Sequence, residues 1–455
     1  MKIPYYPGEY RALFKLGLPI TIAQVGFTLQ GMVDVLMVGH HSAEELAAVG
    51  FVNSLLLLAV LLSMGYCQAA VPQIGALYSQ DRKQEIVAVL KSSSAANILQ
   101  GTLVCMLMFG IWLFLPDMGL DETLVPQMRS YYLILLPSMW ILTGGHGLKA
   151  FYESINDTRT TMWILLAGNV LNIFFNWLLI FGNWGCPELG GDGAAWATFA
   201  SRVFIVAAFV LNFSFNPRYA SYRAHWSTTH IEKRRMLIQN GLGWPIAIQM
   251  TMETAAFSGV SLLLGKGGKS WDATTALSAH QVMTQLACLI YMFYIGIGSA
   301  IAIRVSNYHG LEDKQGARNA AGAGYQMILL VGIICSTIAF CFRYEVSALF
   351  ISADDTEVLA RVSEIVSLMA FPLIAYQLGD GLQTAYVNGL RGYGDVKVLM
   401  KYCFLAYIVI SIPLSYIFGI VMDTGAVGIW WGFPFGLTIA AYLYYRRFHK
   451  ITRIR

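Results

Sequence analysis

Apolar runs of twenty or more residues follow one another along this chain, separated only by short polar connections. A run of that length spans the ~30 Å hydrocarbon core of a bilayer as a helix rising ~1.5 Å per residue, and few other structures accept it. Twelve segments can be drawn, at 13–38, 47–76, 94–116, 129–153, 161–183, 193–215, 239–265, 277–304, 320–341, 360–387, 399–421 and 425–445. With 56% hydrophobic and 12% charged residues over 455 positions, the composition is not that of a soluble globular chain. The sequence predicts an all-α membrane protein. Basic residues precede the first run but no small-residue cleavage site follows it, so that run is expected to stay as the first helix.

The net charge of +4 could suggest an anionic partner such as nucleic acid, but the basic residues fall in alternate connections. With the amino terminus inside, 24 of the 30 Lys and Arg residues lie on the cytoplasmic side. Only Arg129, Lys266, Lys269, Arg343 and Arg361 lie outside, and Arg202 falls within a segment. By the positive-inside rule both termini are expected in the cytoplasm. The second half also repeats the first. Gly17, Pro19, Ile20, Ile22 and Gly39 align with Gly243, Pro245, Ile246, Ile248 and Gly265; further on, Gly65, Lys83 and Gln84 align with Gly296, Lys314 and Gln315. Six crossings return the chain to its starting side, so the repeats are parallel and predict two pseudo-symmetric six-helix bundles around a central cavity. The expected division is an amino-terminal lobe over 1–215, a cytoplasmic linker over 216–238, a carboxy-terminal lobe over 239–445 and a basic tail over 446–455.

Charges deep in a membrane segment are costly and usually serve a cavity or a partner. Three acids qualify: Asp34, Glu253 and Asp380. Counted from the last cytoplasmic basic residue, Asp34, Asn172 and Asn176 lie ~28, ~20 and ~25 Å along their helices, and Thr198 sits just below the outer surface. A carboxylate, amide oxygens and a hydroxyl form an oxygen set for a hard cation such as Na⁺ or for a proton relay. The same spacing also fits asparagines that merely join helices by hydrogen bonds. In the second half, Tyr376 precedes Asp380 by one turn and shares its face. Two carboxylates, Glu253 and Asp380, sharing a cavity would repel unless a cation or proton entered, which suits loading and release of Na⁺ or H⁺. Tyr291, Phe293, Tyr294 and Tyr376 could line a cavity for flat cations. Arg202 receives no role, and His146 and His280 read as packing or hydrogen-bonding residues.

Other function classes lack their motifs. The seven cysteines are scattered with no CxxC pair, so neither a metal site nor a disulfide framework is indicated. HExxH, GxSxG and the GxxxxGK[ST] phosphate loop are absent, which disfavours a membrane-embedded hydrolase and an ATP-driven pump. A channel is not excluded by motif.

The strings GMVDVLMVG around Asp34, NIFFNWLLIFG at 172–182, GAAWAT at 193–198, METAAFSGVSLLLG around Glu253, LSAHQV at 277–282, SAIAIRVSNYHG at 299–310 and DGLQTAYVNGLRGYGDVKV at 380–398 carry a resemblance. Through them the chain resembles the multidrug and toxic compound extrusion (MATE) family, and within it the NorM-like branch, over essentially its whole length. The resemblance implies a secondary antiporter, monomeric and in the bacterial inner membrane. It would export organic cations and other amphipathic drugs in exchange for inward Na⁺ or H⁺, with no cofactor. It also implies that Asp34, Glu253 and Asp380 are the NorM-like acids of the first, seventh and tenth helices, with Tyr376 and Tyr291 as the accompanying aromatics. Na⁺ would then bind at Glu253, Asp380 and Tyr376, or at Asp34, Asn172 and Asn176. One departure concerns the first of these sites: where many members carry an Asp in the fifth-helix motif, this chain has Asn176. A flippase of lipid-linked saccharides is the alternative, disfavoured because the deep charges are mainly acidic.

Overall fold

Helix starts are set by short polar residues that accept a hydrogen bond from the first turn. Ser42, Asp157, Asp272 and Asp313 each cap the backbone N–H three residues on. Between such starts the apolar runs have no backbone partner but themselves, so in lipid they form helices throughout. The computed structural model describes residues 5–118, 123–265, 267–268, 271–345, 347 and 356–453, and no β-strand occurs among them.

In chain order the helices are α1 (Pro7–His41), α2 (Ala43–Cys67), α3 (Ala70–Ser79), α4 (Lys83–Phe114), α5 (Val125–Ser154), α6 (Thr158–Ile180) and α7 (Gly190–Phe215). A short α8 (Ala220–Arg223) lies in the connection. The second half has α9 (Lys233–Leu264), α10 (Ala273–Gly310), α11 (Lys314–Cys341), α12 (Thr356–Tyr393), α13 (Lys397–Cys403), α14 (Ile412–Tyr416) and α15 (Gly425–Ile451). Two π-helical stretches, Phe404–Ser411 and Ile417–Val421, join α13 and α14 into one run. Among the described residues eleven helices are long and apolar enough to cross a membrane, with α2 and α3 counted as one and the α13–α14 run as another. The expected segment 129–153 falls on α5, which is not among the eleven. Tyr131, Tyr132, Ser138, Trp140 and the run Gly144–Gly145–His146–Gly147 dilute its hydropathy, although its 30 residues suffice in length.

The chain groups into two compact units. One holds residues 1–21 with 248–455, the other residues 22–247. The changeovers therefore fall inside α1 and α9, two residues after Pro19 and Pro245, the prolines paired by the internal repeat. In the unit of 22–247, α5 packs on α4 and α7, and α7 on α6. In the other unit α12 packs on α10, α11 and α15. There the amino-terminal turn of α1 is tied down by Glu9, which accepts from Arg304 Nη2 at 2.7 Å and from the Tyr308 hydroxyl at 2.5 Å. The Tyr10 hydroxyl donates to Gln326 Oε1. Large apolar side chains such as Leu103, Met106, Leu107 and Phe114 on α4 stay exposed, as a lipid-facing surface requires.

The connection 216–238 is ordered against the unit of 22–247. Arg218 pairs with Asp157 at 2.8 Å, and Arg223 Nη1 donates to the carbonyls of Phe213 and Asn216. Lys91 lies 4.5 Å from the Trp226 ring centroid.

Candidate functional site

Two polar clusters are buried in the helices, one in each unit. In the unit of 22–247, Asp34 on α1, Asn172 and Asn176 one turn apart on α6, and Thr198 on α7 form one hydrogen-bonded chain. Asn176 Nδ2 donates to Asp34 Oδ1 and to Asn172 Oδ1, the latter at 3.3 Å; Asn172 Nδ2 donates to Thr198 Oγ1, also at 3.3 Å. Both asparagines are fully buried. Gln30, one turn before Asp34, bonds the same carboxylate, and Arg202 on α7 lies within its electrostatic range. Asn176 Oδ1 is buried without a partner among the described residues. With the second Asp34 oxygen it leaves acceptors that a hard cation or a proton donor can use.

In the other unit the cluster forms around Glu253 on α9. Its Oε1 accepts from Gln249 Nε2 at 2.6 Å and from Gln383 Nε2 at 2.7 Å. Gln249 Oε1 in turn accepts from Arg391 Nη2 at 2.5 Å. An arginine offers donors only and a carboxylate acceptors only, so the Gln249 amide can be oriented in just one way between them. Asp380 on α12 is buried, its Oδ2 unpartnered among the described residues, and it lies within electrostatic range of Glu253. Tyr291, Tyr376 and Tyr407 are close enough to feel both acids. Tyr376 is packed against Phe257, Trp430 and Phe433, with ring centroids 5.9–6.2 Å away.

Of the remaining aromatics, Tyr294 is also within electrostatic range of Asp380. Tyr294 is fully buried among α10, α11 and α12, its hydroxyl 3.5 Å from the Gln377 carbonyl, while Phe293 is 38% exposed on another face of α10. Among the described residues no group of three or more His, Cys, Asp or Glu side chains could hold a metal ion. Any cation here would rest on two carboxylates and neutral oxygens. Gln249, Gln383, Tyr407 and Arg391 were missed from sequence. The signal for the glutamines was available, since Gln249 precedes Glu253 by one turn and Gln383 follows Asp380 by three residues. Arg391 had been counted among the cytoplasmic basic residues.

Long apolar helices that bury hydrogen-bonded carboxylates and amides define a multi-pass membrane protein with polar groups of the kind that mark ion and substrate pathways. The MatE family model matches residues 19–178 and 245–417, once over each half, and the chain belongs to that family. Multidrug resistance protein NorM of Vibrio cholerae is 29% identical over 454 residues, covering 98% of this chain and 97% of its own. Probable multidrug resistance protein NorM of Geobacillus kaustophilus is 29% identical over 443 residues, covering 95% and 93%. Among solved structures, the eukaryotic MATE transporter AtDTX14 superposes with a TM-score of 0.85 at 19% identity, covering 98% of this chain and 97% of that one. An outward-facing multidrug resistance MATE family transporter of the MOP superfamily gives 0.87 at 16% identity, covering 98% and 97%. At those identities the structures speak for the fold.

Proposed function

We propose that the protein is a multidrug efflux transporter of the NorM type, a secondary antiporter that exports amphipathic organic cations against inward Na⁺ or H⁺ by alternating access. The observation that carries this reading is the Glu253–Asp380 pair, two buried acids within electrostatic range of each other, one of them with an oxygen that has no partner among the described residues. Such a pair is uncomfortable empty and is relieved by a proton or a monovalent cation. Loading it from outside and emptying it inside is the cycle an antiporter needs. The Asp34–Asn176–Asn172–Thr198 chain is the second candidate coupling site, with a single acid. Tyr291 and Tyr376, both within electrostatic range of the two acids, are the aromatics this reading assigns to a flat cation. The reading extends to twelve crossings in two six-helix lobes, α5 serving as the twelfth, with both termini in the cytoplasm as the basic residues favour. The relatives' names speak for drugs as cargo, and nothing favours a lipid-linked saccharide.

The test is efflux of a fluorescent organic cation from liposomes holding the purified protein, under a Na⁺ gradient and a H⁺ gradient imposed separately. Export driven by one of the two, and abolished in Glu253→Gln and Asp380→Asn of normal folded yield, is the expected result. Gradient-driven export retained in both variants would overturn the assignment.

A further inference from the structure

His280 on α10 and Trp430 on α15 are both buried, 1% and 0% exposed, and the indole Nε1 donates to His280 Nδ1 at 3.0 Å. An indole N–H only donates, so Nδ1 accepts and the imidazole proton is assigned to Nε2. The neutral ring is the form that holds this bond, since an imidazolium would set one N–H against another.

Trp430 in turn belongs to an aromatic group beside the acids. Its ring centroid lies 6.1 Å from Tyr376, 6.4 Å from Phe257 and 6.0 Å from Phe433, and Phe257 stacks on Phe433 at 4.7 Å. Tyr376 is the member of the group within electrostatic range of both Asp380 and Glu253. Ring contacts by themselves accept a range of offset and edge geometries, so packing alone leaves the rings free to slide and tilt. The bond to His280 adds a direction and holds Trp430 at one tilt.

The internal repeat points to the same place. Gly193 and Ala194 align with Gly425 and Ala426, which sets Trp430 against Thr198; Leu46 and Ala48 align with Leu277 and Ala279, which sets His280 against Val49. Thr198 is the α7 end of the Asp34 chain, where it accepts from Asn172 Nδ2. Trp430 therefore holds, in the second half, the register from which α7 reaches the polar cluster of the first. The partner position changes with it, because a buried indole calls for an acceptor that a valine lacks and a histidine supplies.

We infer that His280 is a positioning residue for the coupling site: through Trp430 it fixes the Tyr376 ring, and with it the place of the Tyr376 hydroxyl relative to Asp380. The inference rests on the antiporter reading above and names a residue, apart from the acids, on which ion affinity depends. Breaking the bond loosens a neutral oxygen of the ion site without touching a carboxylate. Ion affinity falls, while the maximal rate is kept.

The experiment measures efflux of a fluorescent organic cation from liposomes over a range of coupling-ion concentrations, with Na⁺ and H⁺ varied separately. In His280→Leu, which keeps bulk and removes the acceptor, the half-saturating ion concentration should rise roughly fivefold or more, with the maximal rate within about twofold of wild type. Trp430→Phe breaks the bond from its other end and should behave likewise, and the double variant should be no worse than either single one. His280→Asn, whose Oδ1 accepts in place of Nδ1, should return to within about twofold of wild type. Unchanged half-saturation in both His280→Leu and Trp430→Phe would sink the inference, as would an asparagine variant as impaired as the leucine one. Lost folded yield in both bond-breaking variants would mark the contact as structural and overturn it too. In each of these cases gradient-driven efflux by wild type leaves the antiporter reading standing, whereas wild type inert under both gradients brings down both.

Discussion

Glu253 is held by two amide donors, and one of those amides is itself held by Arg391. The guanidinium thus reaches the carboxylate through Gln249, close enough to offset its charge but not to occupy its oxygens. Removing that offset should let Glu253 hold a coupling cation more tightly. For unit charges separated by one side chain at an effective dielectric near 20, the effect is of order 2 kcal/mol, and tenfold in affinity is the expected scale. In Arg391→Met the concentration of Na⁺ or H⁺ that half-saturates transport should therefore drop roughly tenfold. Arg391→Lys should stay near wild type; equal loss of folded yield in both would mark the residue as structural. In the other unit, Asn176→Val removes the donor shared by Asp34 and Asn172 and leaves their oxygens buried. That should lower stability by about 1–3 kcal/mol, read as a lower midpoint in thermal unfolding, with Thr198→Val costing less. The acids and the asparagines could be read from sequence because charge and amide are rare in apolar runs. Arg391 could not, since a count from the helix end does not reveal that an arginine turns inward.

At the level of elements, α15 carries glycines at 428, 432 and 436, four apart and so on one face. That face lies against α14 and the two π-helical stretches that flank it. A Cβ built on Gly428 would come within 2.9 Å of the Phe418 carbonyl carbon, and one on Gly432 within 2.5 Å of the Ser415 nitrogen. Only bare backbone permits such an approach, the way small residues bring membrane helices together. Gly432→Val should cost roughly 1–3 kcal/mol or more and cut the folded yield in detergent, seen as a smaller monodisperse peak in size-exclusion chromatography. Gly241→Ala, with nothing within 4 Å of the added carbon, should leave that peak unchanged. The helices themselves were legible because hydropathy dictates them. The π-helical turns were not, since no residue in Phe404–Ser411 announces an extra residue per turn. α5 shows the converse, a segment drawn from sequence whose tyrosines and glycines leave it outside the eleven helices apolar enough to cross a membrane.

For the whole molecule, the duplication in the sequence locates the second copy but not which contacts each copy keeps. Residues 1–21 belong with 248–455, and the opening turns of α9 with 22–247. Separating the chain within 216–238 should therefore leave each fragment short of part of its packing. Residues 1–215 made alone are expected to be degraded in the membrane, and co-production with 216–455 should restore both, measured as paired recovery through an affinity tag on one fragment. Recovery of stable 1–215 by itself would contradict this. The same exchange sets a schedule for biosynthesis. Glu9 leaves the ribosome 295 residues before its partner Arg304. At ~5–20 residues per second that is a wait of roughly 15–60 s, during which the first helix sits in the bilayer with the part up to Thr21 unclaimed. The insertion machinery, or a lipid, has to keep that end company until α10 arrives.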